Sequence, residues 1–198
     1  MTLEGKRIGI AFTGAYECFE KTLKEIKKLS KINNITLIPI MSFNSYKLNT
    51  KYGSAKEYIK KLENITKNKV IHTIVDAEKI HKKYLLDILI IAPCTGNTIS
   101  KLSHDITDTP VTVAAKFHLR NNKPIVIAIS SNNGLSDNAE NIGKLLNRKN
   151  YYFVPFRQTN PITKPYSLMS ETSFIKITLE EALKRKQIQP IILWIIFD

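Results

Sequence analysis

Blocks of apolar residues alternate with amphipathic segments along this chain, and the alternation predicts strands and helices in turn. Apolar runs predict five strands, and apolar positions at helical spacing, such as Phe19, Leu23 and Ile26, predict the helices between them. The predicted strands are 6–12, 36–41, 88–91, 124–129 and 151–155, and the predicted helices are 19–29, 54–65, a segment from 98, 110–119, 138–147 and 179–185. This order predicts an α/β protein with a doubly wound parallel sheet between two helical layers.

Two segments do not fit the alternation. The stretch 155–170 holds three prolines and is predicted to be a loop, and the very hydrophobic stretch 190–197 is predicted to be an added strand or a docking tail. No linker or charge block divides the sequence. We therefore expect one domain over 1–198 with a C-terminal tail from about 187.

The net charge of +13 is scattered along the chain. Twenty-five of the 30 basic residues are lysines, and many alternate with glutamates as on the solvated face of a helix. We therefore expect no nucleic-acid partner, and attribute the charge to compositional bias or to attraction of an acidic small molecule or partner. Two cysteines and four histidines without paired spacing predict no disulfide framework and no metal site. Without a secretory signal or a bilayer-length apolar segment, a cytoplasmic protein is expected.

Polar residues cluster where the predicted strands end. After the apolar run 88–91 the chain reads Ala-Pro-Cys-Thr-Gly-Asn-Thr over 92–98, and Pro93 is expected to end the strand. A second polar loop, 130–134, follows the predicted strand 124–129. Because open α/β sheets bind ligands at the carboxyl ends of their strands, a binding site is predicted at these loops.

The turn after the first predicted strand, Thr13-Gly14-Ala15-Tyr16, has two interpretations. The glycine serves only to turn the chain, or the loop binds an anion through backbone N–H groups at a helix N-terminus. The three-glycine spacing of a dinucleotide fingerprint and the GKS or GKT of a P-loop are missing, so a mononucleotide phosphate is favoured. Ser42, after the second predicted strand, can supply a further hydroxyl to that phosphate.

These motifs resemble those of a known family. The run 91–98 resembles the signature loop of the flavoproteins that include cysteine decarboxylases and flavin prenyltransferases. More narrowly, the chain is similar to the B subunits of bacterial dipicolinate synthases, and the similarity extends in order over nearly the whole sequence. The segments that carry it are 5–9, 12–14, 42–44, 91–93, 95–97, 107–111, 114–116, 120–122, 153–156 and 189–191.

The resemblance implies a flavodoxin-like fold, an FMN cofactor and a place in the mother cell of a sporulating bacterium. It also implies a part in oxidising a dihydrodipicolinate-type precursor to pyridine-2,6-dicarboxylate, in an oligomer with the larger A subunit of the synthase, which binds NAD(P). The residues that match the family's cofactor site are Thr13, Gly14, Ala15 and Ser42 at the phosphate, Thr95, Gly96, Asn97 and Thr98 beside the flavin ring or ribityl chain, and Ser130 and Asn132 on the opposite side.

Three functions remain open from the sequence, and no catalytic residue is assigned. In an oxidoreductase subunit, Lys116, Arg120 and Arg157 are candidate partners of the two substrate carboxylates, or else ordinary surface charges. Flavin-dependent decarboxylation or prenyl transfer is the second function. Here the decarboxylases have a histidine base shortly before the signature strand, and His81 does not match its place. The third is a non-catalytic role in which the chain only stabilises the larger A subunit.

Overall fold

A seven-stranded sheet organises the fold in the computed structural model, which describes residues 2–194 and, of His81, only the backbone. The strands are β1 (Arg7–Phe12), β2 (Thr36–Met41), β3 (Ile88–Thr95), β4 (Ile125–Ser131), β5 (Tyr151–Phe153), β6 (Phe156–Asn160) and β7 (Lys164–Ser170). The α-helices are α1 (Phe19–Leu29), α2 (Phe43–Lys47), α3 (Ala55–Thr66), α4 (Ile74–Lys83), α5 (Gly96–Ser103), α6 (Pro110–Arg120), α7 (Ala139–Leu146) and α8 (Ile175–Leu183). None of these helices is both long and apolar enough to cross a membrane.

The sheet order is β2-β1-β3-β4-β7-β6, and β5 pairs with the first half of β4. Strands β1 to β5 pair in parallel, and the chain passes from β1 outward to β2 before it returns to β3 on the other side of β1. This reversal leaves a crevice beyond the carboxyl ends of β1 and β3, which is where open α/β sheets bind ligands.

Both faces of the parallel strands are buried, which makes the molecule a three-layer sandwich. In β1, Ile8 and Ile10 join one core while Ala11 joins the other, and β3 and β4 alternate in the same way. The first core packs against α1, α3 and α8, and the second packs against α4, α5, α6 and α7. The predicted α/β fold with helices on both faces is confirmed.

The sheet is mixed, because an antiparallel hairpin extends the predicted parallel sheet at one edge. The stretch 155–170, predicted to be a loop, forms an antiparallel hairpin of β6 and β7, and β7 also runs antiparallel to the end of β4. Its prolines are compatible with strands because Pro155 and Pro161 lie outside them and Pro165 lies near a register shift. Helices α2 and α4 were also missing from the sequence prediction.

Pro93 does not end β3, contrary to the sequence prediction. The pairing of β3 with β4 shifts register between Ile91 and Cys94 and then resumes, with Cys94 opposite Ile129. The bulge absorbs the missing N–H of the proline. Strand β3 therefore extends to Thr95.

The C-terminal segment pairs with the edge of the sheet as far as the structure describes it. The backbone N–H of Phe156 donates to Ile191, and the N–H of Leu193 donates to the carbonyl of Phe156. A parallel bridge joins Phe156 to Ile192. The prediction of an added strand over 190–197 agrees with residues 191–193, while 195–198 lie outside the described residues.

His118 on α6 should give the fold a measurable loss of stability in acid. The side chain is 5% exposed, and its Nε2–H donates to the carbonyl of Pro124 at 2.9 Å. Burial lowers the pKa of His118 from 6.5 to about 4, although the hydrogen bond to Pro124 opposes that shift. Between about pH 6.5 and pH 4, His118 therefore binds a proton in the unfolded chain but stays neutral in the folded chain. We expect a loss of about 2 kcal/mol at pH 5 relative to pH 7.5 from this group.

The variant His118→Gln checks this expectation because its amide can still donate to Pro124 but does not titrate. Urea unfolding at pH 7.5 and pH 5 gives the pH-dependent part of the free energy of unfolding for each protein. The wild type should lose about 2 kcal/mol more than the variant between the two values. Equal losses would show that His118 does not resist protonation.

Candidate functional site

A polar pocket of about 530 Å³ lies beyond the carboxyl ends of β1, β3 and β4. Its walls come from the three loops that follow these neighbouring strands and from the first turns of α5 and α7. The described residues that line it are Gly14, Ala15, Glu17, Thr95, Gly96, Asn97, Ser100, Ser130, Ser131, Asn132, Asn133, Asp137, Asn138 and Asn141. Almost all of them are small residues or carry hydroxyl or amide groups, so the pocket offers hydrogen bonds rather than an apolar surface.

Thr13 ties the ends of β1 and β3 together beneath this pocket. The side chain is 1% exposed, and its hydroxyl donates to the carbonyl of Pro93 at 2.8 Å. The same oxygen accepts the backbone N–H of Thr95 at 2.9 Å. The hydroxyl thus acts as donor and as acceptor within the chain, and Thr13 fixes the position of Thr95. Thr13 itself does not line the pocket.

The signature loop leads directly into α5. Thr95 is the N-cap of that helix, and its hydroxyl accepts the N–H of Thr98 at 3.4 Å. Gly96 follows in tight contact with the loop after β4, where an added Cβ would lie 2.5 Å from Asn138 Nδ2 and 2.7 Å from Ser131 Oγ. Only glycine therefore fits between the two loops at this position.

A chain of hydrogen-bonded side chains lines the opposite wall. The Nδ2 group of Asn133 donates to Asp137 Oδ2 at 3.0 Å. Asn133 Oδ1 in turn accepts from Ser131 Oγ at 2.9 Å and from Asn138 Nδ2 at 2.8 Å. Asn141, one turn into α7, accepts from Ser103 Oγ at 2.6 Å. The first three contacts hold the loop after β4 against the start of α7, and the last one joins α7 to α5.

The charges at the pocket are negative. Glu17 and Asp137 are both exposed at its rim, and none of the fourteen described lining residues is cationic. Ser130 Oγ lies 3.5 Å from Glu17 Oε1 and 3.3 Å from Cys18 Sγ. Burial raises the pKa of the Cys18 thiol, and it also raises that of the fully buried Cys94. Both cysteines are therefore protonated at neutral pH and are not activated as nucleophiles.

Seven of the ten predicted cofactor residues line the pocket together. They are Gly14, Ala15, Thr95, Gly96, Asn97, Ser130 and Asn132. Thr13 and Thr98 lie behind the wall, and Thr98 is 8% exposed with its hydroxyl 3.2 Å from that of Thr95. Ser42 caps the short helix α2, where its Oγ accepts the N–H of Ser45, and its own N–H donates to Phe12 at the end of β1.

The three predicted carboxylate partners are not brought to this pocket. Lys116 and Arg120 lie one turn apart on α6 and line a separate cavity of about 410 Å³ together with Tyr151. Arg157 lies on the hairpin, where it pairs with Glu171 at 3.5 Å. None of the three therefore lines the pocket at the ends of β1, β3 and β4.

The residue assignments made from the sequence omitted half of the lining residues, although Ser131 and Asn133 lie in the loop 130–134 that was predicted to bind a ligand. The omitted ones are Glu17, Ser100, Ser131, Asn133, Asp137, Asn138 and Asn141. Five of these lie at or after the end of β4, in the run Ser-Asn-Asn-Gly-Leu-Ser-Asp-Asn-Ala-Glu-Asn over 131–141. The repeated asparagines there were the available signal, because amide side chains concentrated after a buried strand favour binding over a simple turn.

The chain is similar to characterised flavoproteins. The protein-family model described as Flavoprotein matches residues 1–176. The dipicolinate synthase B subunit of Bacillus subtilis (strain 168) is 40% identical over 191 residues, which cover 96% of this chain and 95% of the relative. The crystal structure of the B subunit of dipicolinate synthase from Bacillus halodurans C matches with a TM-score of 0.89 and 36% identity, covering 98% of this chain and 99% of the other. The FMN-dependent cysteine decarboxylase SpaF shares the fold, with a TM-score of 0.65 and 19% identity over 91% of this chain and 99% of its own.

Proposed function

Because this chain belongs to the Flavoprotein family and, within it, to the dipicolinate synthase B subunits, we propose that it is the flavin-binding subunit of an enzyme that forms dipicolinate. In this proposal the chain binds FMN, and the larger A subunit, with NAD(P), is its partner in the mother cell during sporulation. The observation that carries the proposal is the polar pocket at the ends of β1, β3 and β4.

The pocket fits a flavin in size and in chemistry. A volume of about 530 Å³ lies within the range of cofactor pockets. Gly96 lets the loops after β3 and β4 meet at the wall of the pocket, because a Cβ there would clash with Asn138 Nδ2 and Ser131 Oγ. The amides of Asn97 and Asn132 can bond the polar edge of the ring, and hydroxyls such as that of Ser130 suit the ribityl chain.

The phosphate end of the cofactor is assigned to the loop after β1. Gly14 and Ala15 lie at the pocket, and backbone N–H groups of such loops bind phosphate without a cationic side chain. We assign Ser42, beside the end of β1, to the same phosphate.

The proposed reaction removes a hydride and a proton, that is two electrons and two protons, from a dihydropyridine dicarboxylate. FMN, if bound here, would supply an acceptor for one hydride, and NAD(P) on the partner would be the alternative acceptor for that same hydride. Since the described lining residues include no cation, the two substrate carboxylates need positive charge from outside this pocket. In this proposal the larger A subunit supplies the cationic groups that bind the two substrate carboxylates, which gives a reason for an enzyme of two subunits.

Titration of the purified chain with FMN tests the proposal. We expect quenching of flavin fluorescence with a Kd in the micromolar range or below, which corresponds to about 8 kcal/mol or more of binding free energy. The variant Asn97→Ala should weaken binding, whereas the matched control Asn64→Ala, at an exposed position of α3, should not. Adding the chain to the larger A subunit, NAD(P) and the dihydro precursor should then accelerate dipicolinate formation.

Two outcomes would contradict the proposal. A chain that binds no FMN and still activates the larger A subunit would act only as a non-catalytic stabiliser of its partner. A chain that binds FMN but releases carbon dioxide from a carboxylate substrate, without oxidising the dihydropyridine, would be a decarboxylase.

A further inference from the structure

We propose that the cavity beside α6 is a second ligand-binding site, and that it binds a small ring compound with two carboxylates. This α6 cavity has a volume of about 410 Å³. It is lined by the end of α5, the loop from α5 to α6, residues of α6, and Tyr151 at the start of β5. The inference goes beyond the proposed function, because it needs no flavin and concerns a part of the chain outside the cofactor pocket.

The first observation is positive charge without a counter-ion at the α6 cavity. Lys116 and Arg120 are exposed, and neither has an ion pair or a hydrogen bond with a described residue. The guanidinium of Arg120 lies 5.4 Å from the centre of the Phe117 ring, a contact that uses none of its N–H donors. Asp105 is the carboxylate among the described lining residues, and it pairs with Arg148 at 2.9 Å. Two cations are therefore left for an anionic ligand.

The second observation is an unpaired phenol in the wall of the α6 cavity. Tyr151 is 7% exposed, and its hydroxyl has no hydrogen-bond partner in the part of the chain that the structure describes. The buried side-chain atoms there that lack a partner and are closed to solvent are Thr22 Oγ1 and Asn138 Oδ1. The Tyr151 hydroxyl is thus not closed to solvent, and it lies near the charge of Asp105, which lines the same cavity.

This hydroxyl can donate a hydrogen bond to a ligand. Burial raises the pKa of Tyr151 to about 12, so the phenol keeps its proton at neutral pH. Since polar groups that are nearly buried are almost always paired in folded proteins, an open and unpaired hydroxyl points to an acceptor that a ligand brings.

The remaining lining residues indicate what kind of anion fits. Leu102, Ile106 and Leu119 contribute apolar side chains, and Ile106 is 47% exposed. Such a surface suits the face of a ring, and the volume lies within the range of small-molecule sites. Residues four apart on a helix have Cβ atoms about 5–6 Å apart, so Lys116 and Arg120 can each bind one of two carboxylates on the same ring. The product of the proposed reaction is one member of this class.

The α6 cavity is separate from the cofactor pocket. The two have no described lining residue in common. Ser100 lines the cofactor pocket and Leu102 lines the α6 cavity, and both lie on α5. With 3.6 residues per turn, positions two apart face opposite sides of a helix, so α5 separates the two sites.

Calorimetric titration with benzene-1,3-dicarboxylate tests the inference, and benzene-1,3-dicarboxamide serves as the uncharged ligand of similar shape. The wild type should bind the dicarboxylate about tenfold or more tightly than the diamide, because only the dicarboxylate forms charge-assisted hydrogen bonds. The double variant Lys116→Ala, Arg120→Ala should lose this preference. The matched double variant Lys56→Ala, Lys60→Ala removes the same net charge from two exposed lysines four apart on α3, and it should keep the preference.

Tyr151→Phe tests the role of the phenol separately. The affinity for the dicarboxylate should fall about threefold or more, while urea unfolding should show no loss of stability, because the hydroxyl has no partner among the described residues. Tyr152→Phe is the matched control, since Tyr152 belongs to the core on the other face of the sheet. It should leave the affinity unchanged.

Three results would overturn the inference and leave the proposed function unaffected. They are equal binding of the dicarboxylate and the diamide by the wild type, an equal loss of preference in the Lys56, Lys60 variant, and competition between the dicarboxylate and FMN. The affinity for the dicarboxylate should instead be the same with and without saturating FMN. A chain that binds the dicarboxylate as expected but binds no FMN would contradict the proposed function alone.

Discussion

Replacing Gly96 with alanine is expected to lower the affinity for FMN at least tenfold, about 1.4 kcal/mol of binding free energy, in a chain that still folds. The new Cβ would lie 2.5 Å from Asn138 Nδ2, 2.7 Å from Ser131 Oγ and 3.1 Å from Asn133 Oδ1. These three groups form the hydrogen-bonded wall of the pocket, so they must move, and the shape of the pocket changes with them. The helix itself tolerates the change, since alanine favours helix formation.

Gly143→Ala is the matched control for this substitution. Gly143 lies on α7, the helix that Asn138 caps, but an added Cβ there meets nothing within 4 Å. The control should keep the affinity for FMN and gain up to about 1 kcal/mol in stability. Overpacking at Gly96 should instead cost about 1–3 kcal/mol in urea unfolding. Unchanged FMN affinity in Gly96→Ala would show that the wall formed by Ser131, Asn133 and Asn138 does not contact the flavin.

The sequence predicted the parallel half of the fold well because its signals are local. Strand β2 was predicted with its bounds of Thr36 and Met41, and α6 to within one residue, since Thr109 and Pro110 mark its start. The sequence also predicted that the loops after β1, β3 and β4 lie together, because neighbouring parallel strands end at one edge of the sheet.

The remaining features depend on contacts that a sequence does not show. The hairpin of β6 and β7 forms because β7 pairs with the end of β4, more than thirty residues earlier, and local proline content argued against it. The orientation of Asn138 depends on Asp137 through Asn133, a geometric relation without a motif. Lys116 and Arg120 were predicted to bind the substrate carboxylates because of their charge alone, which does not show their position in space, and α6 carries them to another cavity.

Thr13→Val is expected to destabilise the chain by about 2 kcal/mol. The substitution keeps the shape of a side chain that is 1% exposed but removes the hydroxyl that links two strand ends. The N–H of Thr95 then loses its acceptor, and the carbonyl of Pro93 loses its shorter hydrogen bond, while the N–H of Thr13 still donates to it at 3.3 Å. A backbone group left unpaired in the interior costs about 1–3 kcal/mol.

Thr22→Val is a control that makes the same substitution, and its expected effect on the free energy of unfolding has the opposite sign. Thr22 on α1 is fully buried, and its hydroxyl has no hydrogen-bond partner among the described residues. Valine removes that unpaired hydroxyl, so the free energy of unfolding should rise by about 1 kcal/mol. Urea unfolding of both variants therefore separates the value of a bonded hydroxyl from the general effect of replacing threonine. FMN affinity should fall only in Thr13→Val, because Thr95 at the pocket depends on Thr13 for its position. Equal effects of the two substitutions on stability would show that the link between β1 and β3 does not support the site.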